Sequence, residues 1–240
     1  MRIISITNIN SMRNYILIFL MTLTLNVSAP NLSNDIKQKQ KLELIKLTHV
    51  KRTEASIEKE QDLKDLKVLK KLGCGMEKRF TFEDRKKVRQ ICKRLGIKPE
   101  WLYVPIRIES KGYVDSLHSR NPYSYATGLI GFLPSTAKNL GTSTKELEEM
   151  TVSEQLDYVE KYFIIQSNGR KMKSVADVYF MIFRPSVVNQ SDSFVISSKS
   201  SKGTKNDTVI YHQNPGLITN KADTVLTVKA IKTVLGRYII

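Results

Sequence analysis

The sequence predicts a mainly α fold, a small helical bundle with at most a minor β element. Apolar side chains recur at the three- and four-residue spacing of a single helix face, most clearly between Val88 and Leu95. Two such segments open on a threonine, Thr81 and Thr151, that is followed three residues later by an acidic residue, the pattern of a helix-capping box. The sequence has no internal repeat and no strong strand pattern. These observations together favour packed helices over a sheet.

The N-terminal third predicts two segments outside the folded domain. Residues 1–29 have an apolar run, Tyr15–Leu25, preceded by arginines and followed by Val27-Ser28-Ala29, the small-residue ending of an export signal. We therefore expect an exported protein, periplasmic or extracellular, with an uncleaved N-terminal anchor as the alternative. Residues 30–75 are rich in lysine and glutamate without a sustained heptad, and predict a basic spacer that is helical or partly ordered.

The folded domain is expected over residues 76–240. Its first helix begins at Thr81 and ends at Gly96, because a glycine there suits the left-handed C-terminal cap. Pro99 suits the first turn of a second helix, which leads to Glu109. The Ser-, Asn- and Gly-containing stretch that follows, up to Gly128, predicts an irregular loop.

The second half of the domain continues the helical pattern. Pro134 starts a short helix, Thr151 a long one and Ser174 a third. Residues 189–208, rich in Ser, Lys, Asn and Asp, predict a mobile surface loop. The β-branched tail, residues 225–238, is expected to form a helix that packs back on the domain.

The chain is strongly basic, with 39 Lys and Arg against 23 Asp and Glu and a formal net charge of +16. Such a charge attracts polyanions: acidic cell-wall polymers, an anionic membrane surface or nucleic acid. The sequence contains no known nucleic-acid-recognition motif and no basic stretch with interleaved aromatic residues, so nothing points to specific nucleic-acid recognition. His49, His118 and His212 have no zinc-ligand spacing, and there is no phosphate-binding glycine loop, so we expect no cofactor and no metal.

The two cysteines, Cys74 and Cys92, fit no metal-binding spacing. In an exported protein they could form a disulfide. The sequence favours instead that Cys92, on the apolar face of a predicted helix, is a small core residue, with the disulfide as the alternative.

Glu109 is the candidate catalytic residue. A carboxylic acid that protonates a glycosidic oxygen must stay protonated near neutral pH, and apolar surroundings raise its pKa by desolvation. Glu109 has such neighbours in Ile106 and Ile108, and the Phe132-Leu133 turn is available to cover it. Considered alone, the residue is better explained as a surface glutamate at a helix end, or as one that caps a neighbouring helix.

Glu109-Ser110, followed by the block Gly128–Ala137, resembles the signature of the lysozyme-like lytic transglycosylase superfamily. That resemblance extends from about Phe80 to Pro185. It implies a lysozyme-like helical domain that cleaves the MurNAc-GlcNAc β-1,4 bond of peptidoglycan glycan strands. It also implies that a single glutamate acts first as acid and then as base, while the muramyl 6-hydroxyl attacks and leaves a 1,6-anhydro sugar.

The resemblance also implies a set of substrate-binding residues. These are Ser110, His118, Ser119, Gly128, Gly131, Phe132, Leu133, Tyr158, Tyr162 and Tyr179. Many family members have a substrate-binding Gln at the position of Gly131, so that contact is missing from this chain.

Three other functions remain open at this stage. A hydrolytic muramidase would use water, with or without Asp115 as a second carboxylate. The missing Gln motivates a non-catalytic cell-wall-binding protein on the same fold, and the charge alone motivates a nucleic-acid binder. We expect a monomer in each case.

Overall fold

A computed structural model describes residues 34–110, 120–122, 124–200, 206–220 and 222–238. This part of the chain is mainly helical, with one small two-stranded sheet, which confirms the predicted fold class. The helices are α1 (Asn34–Leu72), α2 (Met76–Arg79), α3 (Phe82–Leu95), α4 (Pro99–Glu109), α5 (Pro134–Asn139), α6 (Thr144–Glu149), α7 (Val152–Ser167), α8 (Val175–Phe183), α9 (Asn206–Gln213) and α10 (Val228–Leu235). The strands are β1 (Val195–Ser198) and β2 (Val225–Thr227), and short 3-10 turns lie at Pro185–Val187 and Pro215–Leu217.

The predicted export signal or anchor, residues 1–29, lies outside the described residues. Of the helices that are described, none is both long enough and apolar enough to cross a membrane.

The chain divides into two units, residues 1–57 and 58–240. In the first unit, residues 34–57 are helical and none of the side chains described there is buried. The second unit contains the hydrophobic core. Its boundary corrects the prediction that the folded domain begins at residue 76, because Leu69 and Leu72 on the last turns of α1 are buried in this core.

Buried ion pairs join the last part of α1 to α3. The Arg85 guanidinium donates to both carboxylate oxygens of Asp62, over 2.6 and 2.9 Å. Arg89 donates to Asp65 over 2.5 Å and also to Glu58. The acidic members of this cluster belong to the segment 30–75, which the sequence predicted to be a spacer outside the folded domain.

Local sequence signals determine the ends of α3 and α7. Thr81 and Asp84 form a complete capping box, since each backbone amide donates to the other residue's side chain over 2.8 and 3.1 Å. Thr151 and Glu154 do the same at the start of α7. At the other end of α3, Gly96 adopts the left-handed conformation with φ of 68°.

The core of the second unit is formed by contacts between these helices. α3 packs against α7 and against α4, and α4 also packs against α8. Tyr103 on α4 meets Phe80 edge to face, with ring centroids 5.5 Å apart. These contacts hold the C-terminal end of α4, which carries Glu109.

The C-terminal region differs from the prediction in two places. The segment 189–208, predicted as a mobile loop, contains strand β1, which pairs antiparallel with β2. β1 forms because the β-branched Ile196, 4% exposed, packs into the core despite the polar residues around it. The predicted tail helix is shorter than expected, because residues 225–227 belong to β2 and only Val228–Leu235 is helical.

Both cysteine thiols are free, so the disulfide alternative is wrong. Cys74 is exposed, whereas Cys92 is fully buried on the inner face of α3. The interpretation of Cys92 as a small core residue is confirmed.

Candidate active site

Glu109 is the last residue of α4, where the helix meets the core of the second unit. Ile106, one turn earlier, is fully buried and Ile108 is packed against the core. Burial raises the pKa of Glu109 from its ordinary value of 4.5 to about 7, and no other described residue contributes to the shift. The residue nevertheless remains partly exposed, so a ligand can reach it. Glu109 therefore has the protonation behaviour of a general acid near neutral pH.

A tight glycine turn lies directly beside this carboxyl group. Thr127 and Phe132 exchange two backbone hydrogen bonds, of 3.0 and 2.8 Å, and enclose the four residues between them. Gly128 and Gly131 both have left-handed backbones, with φ of 83° and 65°. A Cβ atom on Gly131 would lie 3.6 Å from Oε2 of Glu109. The backbone of the turn therefore forms one wall of the site.

Gln155 on α7 holds this turn, although it was not among the site residues predicted from the sequence. Its side chain, 1% exposed, accepts from the backbone amide of Leu129 over 2.9 Å and donates to the carbonyl of Leu147 over 2.9 Å. A Cβ atom on Gly128 would lie 2.6 Å from Oε1 of Gln155, so only glycine leaves room for this amide. The detectable signal was a polar residue on the apolar stripe of α7, three residues after Val152.

Two tyrosines lie within electrostatic reach of Glu109. Tyr162 on α7 donates its hydroxyl proton to the carbonyl of Met181 over 3.0 Å, and its ring meets Phe132 edge to face. Burial, and then the negative charge of Glu109, raise the pKa of Tyr162 to about 12. The same two causes raise the pKa of Tyr179 on α8. The site is thus bounded by α4, α7, α8 and the glycine turn.

The remaining residues predicted to contact substrate have different surroundings. Ser110 and Phe132 are 1% and 2% exposed, and Ser110 donates its hydroxyl proton to the carbonyl of Ile106. In this structure they support the site without exposing a surface to a ligand. Leu133 is 47% exposed next to the turn, and Tyr158, one helical turn before Tyr162, is partly buried.

The stretch 111–119 is not described, so Asp115, His118 and Ser119 lie outside the described residues. Elsewhere in the chain, wherever residues are described, no group of His, Cys, Asp and Glu side chains could hold a metal ion.

A groove of about 580 Å³ lies away from Glu109, between the end of α1 and α3. Its lining includes Glu58, Asp65 and Arg89, which are already bound to one another. Burial also raises the pKa of Asp65, to about 6, but the Arg89 guanidinium donates to this carboxyl group over 2.5 Å, whereas no described cation contributes to the pKa shift of Glu109.

No protein-family model matches the chain, and no curated protein matches it.

Proposed function

We propose that this protein is a peptidoglycan lytic transglycosylase, with Glu109 as its single general acid and base. The observation that carries the proposal is a carboxyl group with its pKa raised to about 7, packed against a glycine turn at the spacing of the transglycosylase signature. Burial is what such an acid needs, because desolvation keeps the proton on the carboxyl until the glycosidic oxygen takes it.

The reaction would proceed in two proton transfers. Glu109 gives its proton to the leaving oxygen as the bond to the MurNAc anomeric carbon breaks and positive charge builds on that sugar. The resulting carboxylate then takes the proton of the muramyl 6-hydroxyl, whose oxygen bonds to the same carbon. The products are a 1,6-anhydro end and a free GlcNAc 4-hydroxyl, and the enzyme regains its proton.

The proposed route needs a single carboxylate, and Asp115, the candidate for a second one, lies outside the described residues. In the described part of the chain, no neighbouring carboxylate contributes to the pKa shift of Glu109. A hydrolase of the two-carboxylate type would place a second acid about 5–9.5 Å from the first. Its negative charge would raise the pKa of the first carboxyl further.

The test is digestion of purified sacculi followed by mass analysis of the released muropeptides. We expect anhydro ends, which are lighter than reducing ends by one water. The Glu109→Gln variant should release none while remaining folded. Glu149→Gln, which removes an exposed carboxylate on α6, is the matched control and should keep full activity. Full activity of Glu109→Gln would refute the proposal.

A hydrolytic muramidase is the second candidate, favoured by one observation. Gly131 provides no side chain next to Oε2 of Glu109, which leaves space in which a water molecule could replace the 6-hydroxyl. Reducing ends in the same digest would identify this reaction. Binding to sacculi without any release would instead indicate the non-catalytic wall-binding alternative.

The proposal includes export to the compartment that holds peptidoglycan and a positive surface that attracts acidic wall polymers. This attraction arises from the excess of 39 basic over 23 acidic residues. Because exposed charges are screened by salt, binding to sacculi should weaken as ionic strength rises.

A further inference from the structure

Tyr125 presents an unusually exposed aromatic ring close to the glycine turn. The residue is 52% exposed and has a left-handed backbone, with φ of 56°, a conformation that is sterically unfavourable for a non-glycine residue. Local hydrogen bonds hold this conformation. Its amide donates to the carbonyl of Asn121 over 2.9 Å, and its carbonyl accepts from the Thr127 hydroxyl over 3.0 Å.

A cation lies beside the Tyr125 ring. The Arg120 guanidinium lies 5.1 Å from the centroid of the Tyr125 ring, within the range of a cation–π interaction. Arg120 is itself paired with Glu148 on α6, at 3.0 Å from Oε1. Arg120 thus holds the ring from one side, and more than half of the tyrosine surface is still open to solvent.

Tyr125 lies one residue along the chain from the wall of the candidate active site. The next residue, Ala126, has its Cβ atom 3.9 Å from the position of a Cβ on Gly131. The same position is 3.6 Å from Oε2 of Glu109. The surface next to Glu109 therefore includes Ala126, the residue that follows Tyr125 in the chain.

We propose that Tyr125 is a sugar-stacking residue, which binds the apolar face of a pyranose ring next to the bond that is cleaved. This inference rests on the proposed function, since it assumes a glycan in the site. The electron-rich face of an aromatic ring attracts the C–H groups of a sugar, and a ring that is already fixed loses little entropy on binding. The phenol hydroxyl is not needed, so phenylalanine should replace tyrosine.

The test compares three variants in digestion of peptide-free glycan strands. Tyr125→Ala should raise KM about tenfold, the upper range of an aromatic contact, with kcat changed less than about twofold. Tyr125→Phe should keep the wild-type KM. Phe82→Ala removes another exposed ring, at the start of α3, and should change neither constant. A wild-type KM in Tyr125→Ala would overturn the inference while leaving the proposed function intact.

A binding measurement separates failure of the inference from failure of the proposed function. Calorimetry with the same strands uses Glu109→Gln and the double variant Glu109→Gln/Tyr125→Ala, so no cleavage intervenes. We expect about tenfold weaker binding in the double variant. If the wild type releases no products but this loss is seen, the proposed reaction fails and Tyr125 remains a glycan-binding residue. Equal affinity of the two proteins, or no binding by either, would overturn the stacking role.

Discussion

Replacing Glu109 by glutamine should stabilise the protein at high pH while it abolishes activity. Below pH 4.5 the carboxyl is protonated in both the folded and the unfolded chain. Between pH 4.5 and about 7 the unfolded chain ionises it more readily than the folded chain does, so the free energy of unfolding falls as pH rises. The pKa of Glu109 differs by roughly 2.5 units between the folded and the unfolded chain. This difference lowers the free energy of unfolding by about 3 kcal/mol, and the whole of that loss is present above pH 7.

Glu109→Gln removes this loss because the amide does not ionise. At pH 4 the variant and the wild type should have similar free energies of unfolding, and at pH 8 the variant should be more stable by about 3 kcal/mol. Asp65, whose pKa is raised to about 6 mainly by burial, is present in both proteins and cancels in the comparison.

Urea unfolding of both proteins at pH 4, 6 and 8 measures this difference, provided that the slope with urea is unchanged. Glu149→Gln is the control for simple loss of a negative charge. Its free energy of unfolding should differ little from that of the wild type at each pH. If the difference in free energy of unfolding between Glu109→Gln and the wild type did not vary with pH, the carboxyl would ionise as freely in the folded protein as in the unfolded chain. The account of Glu109 as a buried acid would then be wrong.

Three further substitutions test the packing. Gly128→Ala should destabilise the protein by about 3–4 kcal/mol, because it strains the backbone and displaces the Gln155 amide. Gly131→Ala should destabilise it by only about 1–2 kcal/mol, because it strains the backbone alone. Equal shifts of the urea midpoint in the two variants would contradict this explanation. Asp62→Ala should destabilise by about 3–5 kcal/mol, because it leaves the Arg85 guanidinium buried without its carboxylate. Thermal unfolding measures this loss, and a change below about 1 kcal/mol would indicate that solvent reaches the pair.

The sequence predicted those features that depend on residues a few positions apart. The capping box of Thr81 and Asp84 closes within one turn, and the left-handed cap at Gly96 follows from its lack of a Cβ atom. The end of α4 at Glu109 was also predicted, because Pro99 and the apolar run define that helix locally. Such interactions join residues that are close together in the sequence.

Features that depend on distant residues were not predicted. Asp62 and Arg85 are 23 positions apart, so nothing in the lysine- and glutamate-rich segment distinguished a buried carboxylate from its solvated neighbours. Gln155 bonds to Leu129, 26 positions away, and its role exists only once α7 lies against the glycine turn. β1 is stabilised by pairing with β2 and by the burial of Ile196, which outweigh its polar surroundings.

The docking of the last turns of α1 determines how the chain should respond to proteolysis. Cleavage ahead of Glu58 removes described residues none of which is buried. Cleavage one or two turns later separates Asp62 from Arg85, and still later it removes Leu69 from the core. A shift of only a few residues in the cleavage site along this one helix would therefore decide whether a peptidase leaves the folded unit intact or disrupts it.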